Sequence, residues 1–274
     1  MLLNITVENF RSYNEAQTLS LIASENNGIN SVAIGEFEIR KSAIIYGANA
    51  SGKSNLIKAM YFALGLIVNS ERNTIAAPIK TEQFLLSTDT KNDGSEFEFE
   101  FIFDKMVYRY GFVINNQFVL KEWLEMKTKK NDEFKPLFSR NRQDIEVLDA
   151  VIFKEGLDLA TQSDGSTKTR ENVLFLSKTA SDNGKISESI VNWIATKFMF
   201  GLTNIGWLNG NITVSLSNTQ IDINSYVFSN PKRYSFVMEA LKCADIGIKG
   251  ISHRQMQIEE LPENVREHFI RGLE

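Results

Sequence analysis

The chain has 274 residues, 43% hydrophobic and 23% charged, with a formal net charge of −4. This composition excludes a disordered chain, and the charge gives no global positive field to recruit nucleic acid or an anionic membrane. A single cysteine, Cys243, excludes an intramolecular disulfide, and the two histidines, His253 and His268, have no companions at zinc-ligand spacing. Cys243 reads as a small buried side chain on a helix through Val237–Leu241. Asn4, Glu8 and Arg11 break any leader-like apolar stretch at the start. The longest apolar run, Ala59–Val68, is about half the roughly 20 residues needed to cross a bilayer. A cytoplasmic protein without membrane contact is expected.

In chain order, Leu2–Phe10 alternates as a strand and is broken by Arg11-Ser12-Tyr13-Asn14. Thr18–Ile22 reads as a returning strand and Ser31–Ile39 as another. Ser42–Tyr46 is a short continuous apolar run of the kind buried on both faces of a sheet. Asn55–Asn69 reads as a helix with Leu56, Ile57, Met60, Tyr61, Leu64 and Ile67 at helical spacing. In Glu96–Phe101 acids and phenylalanines alternate, placing a solvated acidic face opposite an aromatic one. Asp104-Lys105 and Asn115-Asn116 then turn the chain into Val107–Ile114 and Phe118–Met126, a meander extended near Phe134–Phe138. Helices are expected at Arg170–Thr179, Ile186–Phe200, Pro231–Ala244 and Pro262–Leu273, with extended segments at Asn211–Leu216 and Gly247–Ile258.

Gly47-Ala48-Asn49-Ala50-Ser51-Gly52-Lys53-Ser54 matches G-x-x-x-x-G-K-[ST] at every fixed position, between an apolar strand and an amphipathic helix. This pattern arises by chance in about 1% of chains of this length. Gly47 and Gly52 allow a backbone path that side chains resist. The N–H groups from Asn49 to Ser54 and the positive end of the helix are suited to an anion. Lys53 is the point charge for the β- and γ-phosphates, and the Ser54 hydroxyl is the Mg²⁺ ligand. The expected ligand is ATP with Mg²⁺.

Ile5–Tyr13, read together with Ile44–Asn55, resembles the RecF- and SMC-related ABC-class ATPases. The resemblance is closer to stand-alone prokaryotic predicted ATPases of anti-phage defence and abortive-infection loci. It extends to Glu96–Phe103 with Tyr108–Phe112, and to Arg170–Ser177, so it covers residues 1 to about 250. It implies an α/β fold of the P-loop NTPase, ABC-ATPase-like kind: a mixed sheet, an antiparallel meander and a following helical region. It also implies a homodimer closed over ATP and an effector partner, a nuclease or a toxin. Arg11 and Asn55 join the nucleotide-binding residues on this resemblance, and Gln83 is the nearest candidate for its metal- and water-sensing glutamine.

The resemblance also implies an acidic strand end and a Leu-Ser-x-Gly signature. Phe101–Asp104 is followed by Lys105, and Val147-Leu148-Asp149 continues into Ala150. Leu176–Thr179 and Leu216–Thr219 lack the glycine. Two explanations stand: an N-terminal ATPase part (1–144) leading through a mainly helical region (145–274) toward a missing half, or a form that binds ATP without turnover. A non-hydrolysing scaffold and a DNA-repair ATPase are the alternative functions. The basic stretch Lys127, Lys129, Lys130, Lys135, Arg140 and Arg142 reads as an exposed β-edge, with contact to nucleic acid backbone as its alternative.

Overall fold

Alternating burial along Leu2–Glu8, with Leu3, Ile5 and Val7 fully buried, makes this segment a central strand, β1. The computed structural model describes residues 1–23, 30–48, 51–72, 74, 77–87, 94–198, 214–216, 219–221 and 228–243. The chain divides into two compact units, Met1–Met199 and Phe200–Glu274. The 144/145 division expected from the sequence falls in the first of them.

In the first unit, β1 lies between β2 (Gln17–Ser20) and β5 (Ser95–Phe103). From β5 the sheet continues as a meander through β6 (Met106–Ile114), β7 (Val119–Lys127), β8 (Lys135–Asn141) and β9 (Asp144–Val147). Every strand pair among the described residues is antiparallel. The mixed sheet expected from the sequence is therefore not what these residues build. The alternation in β5 behaves as read: Phe97, Phe99 and Phe101 are buried, while Glu96, Glu98 and Glu100 line the other face.

That acidic face is only partly solvated. Trp123 Nε1 donates to Glu98 at 3.1 Å, and Asn4 Nδ2 donates to Glu100 at 2.8 Å. Burial pushes the Glu96 carboxyl above the usual carboxylate range, helped by the nearby charges of Glu8 and Glu98 and opposed by Lys121.

Two segments depart from expectation before the glycine loop. Ser31–Ile39 is a hairpin: β3 (Ser31–Ile34) and β4 (Phe37–Arg40) pair across Gly35-Glu36, with Gly35 at φ 59. The apolar pattern ran through the turn, which hid it. Ser42–Tyr46 is neither a strand nor buried, with Ile44 87% and Tyr46 90% exposed. No strand pairs with this run among the described residues, so its composition finds no sheet interior.

Helix α1 (Lys53–Asn69) packs through Leu56, Ala59, Ala63, Leu64 and Ile67. Ile57 and Tyr61, expected on that face, are exposed. Two alanines occupy the contact stripe, where a small side chain lets the helix axis come close. Phe62, on the helix, stacks on Phe10 at 5.5 Å and meets Phe97 at 5.6 Å, tying α1 to the sheet.

Helix α2 covers Phe175–Ser181, later than the expected Arg170–Thr179, because Arg170–Val173 forms a turn, Leu174 is extended and the polar groups of Arg170 and Asn172 are spent on neighbours. Arg170 donates to Glu71 O at 2.7 Å, and Asn172 Nδ2 donates to Thr74 O and Ala77 O at 2.9 and 3.0 Å. Helix α3 (Lys185–Lys197) follows, and Trp193 stacks on Phe101 at 4.9 Å.

The α2 entry rests on a buried ionic group. Glu122 Oε2 accepts from Phe175 N at 2.6 Å, and Oε1 accepts from Leu176 N and Tyr110 O–H, both at 2.9 Å. Arg140 Nη1 lies 3.5 Å from Glu122, and both side chains are fully buried. Arg140 also donates to Arg142 O, Val173 O and Arg170 O. Two buried charges are tolerated when their remaining valences are satisfied in this way.

In the second unit a hairpin joins β10 (Val214–Leu216) to β11 (Thr219–Ile221), and α4 spans Pro231–Cys243. The expected elements at Gly247–Ile258 and Pro262–Leu273, both histidines and the side chain of Cys243 lie outside the described residues. No helix among the described residues is long and apolar enough to cross a membrane.

Candidate phosphate-binding site

The glycine loop opens onto α1 through Gly52, which is at φ 91 and is the residue before the helix. A left-handed backbone of this kind favours glycine. A second constraint acts at the same residue: a Cβ there would lie 2.6 Å from Ser12 Oγ. At Gly47 a Cβ would lie 3.1 Å from Ser51 Oγ. Each glycine is thus closely approached by a serine hydroxyl.

Ser12 belongs to the break after β1, so the opening segment forms one wall of the loop. Asn55 Nδ2 donates to Ser12 Oγ at 2.9 Å, and Tyr13 O–H reaches Gly52 O at 3.5 Å. Partial burial pushes the Tyr13 phenol up, keeping it protonated as a donor. Sequence reasoning placed Asn55 at the nucleotide. Here its amide fastens the helix start to Ser12. Ser12 and Tyr13 were missed as loop supports, and the joint resemblance of the two segments was the only signal for them.

Lys53 curls back over the loop. Its Nζ donates to Gly47 O at 2.7 Å and to Ala48 O at 2.6 Å, with Ser51 Oγ at 3.5 Å. An ammonium held by neutral carbonyls at a helix start is a cation available to an anion. Gly52 supplies no capping side chain, and no acidic residue stands in the first turn of α1. Ser54 is exposed beside Lys53. Asn49 and Ala50 lie outside the described residues. The residues present thus fit a phosphate with an accompanying magnesium ion.

Arg11, at φ 52, is tied to the segment after Pro78. Its N donates to Glu82 O at 2.7 Å, and its Nη2 pairs with Glu82 Oε1 at 2.6 Å. The Arg11 side chain is 27% exposed and that of Glu82 60%, so the pair contributes on the order of 1 kcal/mol or less. Gln83 follows Glu82 directly, and Phe84 N donates to Asn9 Oδ1 at 3.2 Å. The structure thus joins the Arg11 turn, the Gln83 segment and the glycine loop through Asn9–Tyr13.

The acids weighed for hydrolysis hold structural posts. Asp104 and Lys105 are the two turn residues of the β5–β6 hairpin, at φ 47 and 64. Asp149 Oδ1 accepts from Val151 N and Ile152 N at 3.1 and 2.9 Å. Ser177, weighed as part of a signature, donates its hydroxyl to Ile67 O at 2.6 Å inside the α1–α2 contact. Among the described residues no group of three or more His, Cys, Asp or Glu gathers to hold a metal ion.

Against models of protein families, residues 42–254 match the family described as "AAA domain, putative AbiEii toxin, Type IV TA system". Among curated proteins, none matches the chain.

Proposed function

The chain belongs to this AAA-domain family, and on that premise we propose that it binds ATP with Mg²⁺ at Gly47–Ser54 as an ABC-type half-site. The observation that carries the proposal is the bond pair from Lys53 Nζ to the carbonyls of Gly47 and Ala48, at the uncapped start of a 17-residue helix. A phosphate oxygen is a stronger acceptor for an ammonium than a peptide carbonyl, so Lys53 exchanges one for the other without leaving the loop. Ser54 is the protein's ligand for the metal. Bound Mg²⁺ would neutralise charge on the β- and γ-phosphates.

Arg11 is a second cation for the same nucleotide, held in reserve by Glu82. The weak, half-exposed pair between them is readily given up for a polyphosphate. Hydrolysis also needs an acid at the metal and a group positioning water. Asp104 stands at the β5–β6 turn and Asp149 caps Val151 and Ile152, so neither is assigned that role. We further propose that ATP closes a homodimer over this site and that the closed state controls a defence effector, a reading supported by the family's abortive-infection description.

Lys53→Ala tests the premise. Binding of a fluorescent ATP analogue is expected to be lost while the far-UV circular dichroism stays unchanged; retained binding refutes the assignment.

A further inference from the structure

Three turns meet beside the seven-stranded sheet: Gly35-Glu36 between β3 and β4, Asp104-Lys105 between β5 and β6, and Thr128–Lys130 between β7 and β8. Together they line an open cavity of about 270 Å³. Its rim carries Lys105, Lys129 and Lys130 against Glu36, and its floor includes Phe37 and Val107. This volume is just under the roughly 300–1,000 Å³ of most small-molecule pockets, so a ligand of one-nucleotide size is the upper limit.

The rim is assembled rather than loosely draped. Glu36 Oε2 accepts from Lys130 N at 3.0 Å, joining the β3–β4 turn to the β7–β8 turn. Asp132 is turned back on Lys129 N at 3.0 Å, and Lys127 Nζ holds Lys130 O at 2.9 Å. These bonds engage acids with backbone N–H groups. Among the described residues, the ammoniums of Lys105, Lys129 and Lys130 form no ion pair. The floor residues Phe37, Ile102 and Val107 belong to the apolar cluster that also holds Leu3 and Ile39.

Lys105, Lys127, Lys129 and Lys130 stand against Glu36, Asp104 and Asp132, leaving the rim net positive by one charge. A phosphate monoester carries about 1.5 to 2 negative charges at neutral pH. We propose that this three-turn cavity is a second anion site, separate from the glycine loop, that takes a phosphate monoester on a small apolar or aromatic body. Lys105 and Lys129 hold the phosphate, and the body rests toward Phe37. That chemistry is found in a free mononucleotide and at the 5′-phosphorylated end of a nucleic acid strand.

The site is tested by fluorescence anisotropy on the full chain carrying Lys53→Ala, using a labelled trinucleotide with a 5′-phosphate. The same strand with a 5′-hydroxyl is the comparison, and unlabelled dTMP is the competitor. Binding of the phosphorylated strand at low salt is expected, weakened about tenfold or more by Lys105→Gln/Lys129→Gln. Lys121→Gln, an exposed lysine at the far end of β7, is expected to leave it unchanged. Displacement by dTMP assigns the site to the mononucleotide, and resistance to dTMP assigns it to a strand end. Absence of binding, equal affinity for the 5′-hydroxyl strand, or equal loss on Lys121→Gln overturns the proposal. Because Lys53 is already removed, none of these outcomes bears on ATP binding at the glycine loop.

Discussion

Glu122→Gln replaces a buried carboxylate by an amide of nearly the same volume. The carboxylate accepts four donors: Phe175 N, Leu176 N, Tyr110 O–H and, at 3.5 Å, the Arg140 guanidinium. One amide oxygen can serve only half of them, and the new NH₂ is a donor facing donors. Arg140, fully buried, then retains its charge without the carboxylate. Breaking one partner of a buried pair costs about 3–5 kcal/mol. For a unit of this size each kcal/mol lowers Tm by roughly 2–4 °C, so a fall of about 6–20 °C is expected. Thermal unfolding followed by circular dichroism measures the fall in Tm, and urea unfolding followed by tryptophan fluorescence measures the loss in kcal/mol. Glu122→Leu/Arg140→Met is expected to be milder than Glu122→Gln, since it removes both charges together. A loss below about 1 kcal/mol for Glu122→Gln refutes the view that this carboxylate anchors α2 to the sheet.

Gly52→Ala adds a Cβ 2.6 Å from Ser12 Oγ at φ 91; ATP-analogue affinity is expected to fall about tenfold or more, and Ser12→Gly in the same chain is expected to restore part of it by removing the contact. Unchanged affinity in a titration of Gly52→Ala separates the loop shape from binding. Gly111→Ala places a Cβ 2.2 Å from Trp123 Cζ2, an overpacking expected to cost about 1–3 kcal/mol in urea unfolding and to shift tryptophan fluorescence; a neutral result contradicts the packing described. Glu96 has a raised folded-state pKa, so the folded chain holds this proton more tightly than the unfolded one. Its contribution is greatest below the unfolded carboxylate pKa and declines as pH rises through the folded value. Glu96→Gln is therefore expected to raise Tm at neutral pH, with the advantage over the parent shrinking on acidification; a lower Tm at neutral pH contradicts the sign.

Local patterns carried much of the fold. The alternation of Glu96–Phe101 fixed both the strand and its faces, because period two is a direct consequence of backbone geometry. Asp104-Lys105 was legible as a two-residue turn for the same reason. Failures came where distant residues decide. Ser42–Tyr46 has the composition of an interior strand, but composition does not supply the neighbour that makes a strand. Arg170–Leu174 has helical spacing, yet Arg170 and Asn172 gain more by reaching Glu71, Thr74 and Ala77. At the candidate site the loop itself was readable from fixed glycines and Lys53. Its supports, Ser12 against Gly52 and Glu82 on Arg11, join residues far apart in sequence and leave no periodic trace.

The contact between Ser12 and Gly52 makes two positions one unit of inheritance. A side chain larger than serine at position 12 presses on the loop from behind, and any side chain at position 52 meets that wall from within. The two positions therefore compete for one space, and a change at either is felt at the other. The opening turn is in this sense a removable back plate: widening it by Ser12→Gly is a way to alter the bore of the phosphate loop without touching the loop's own residues.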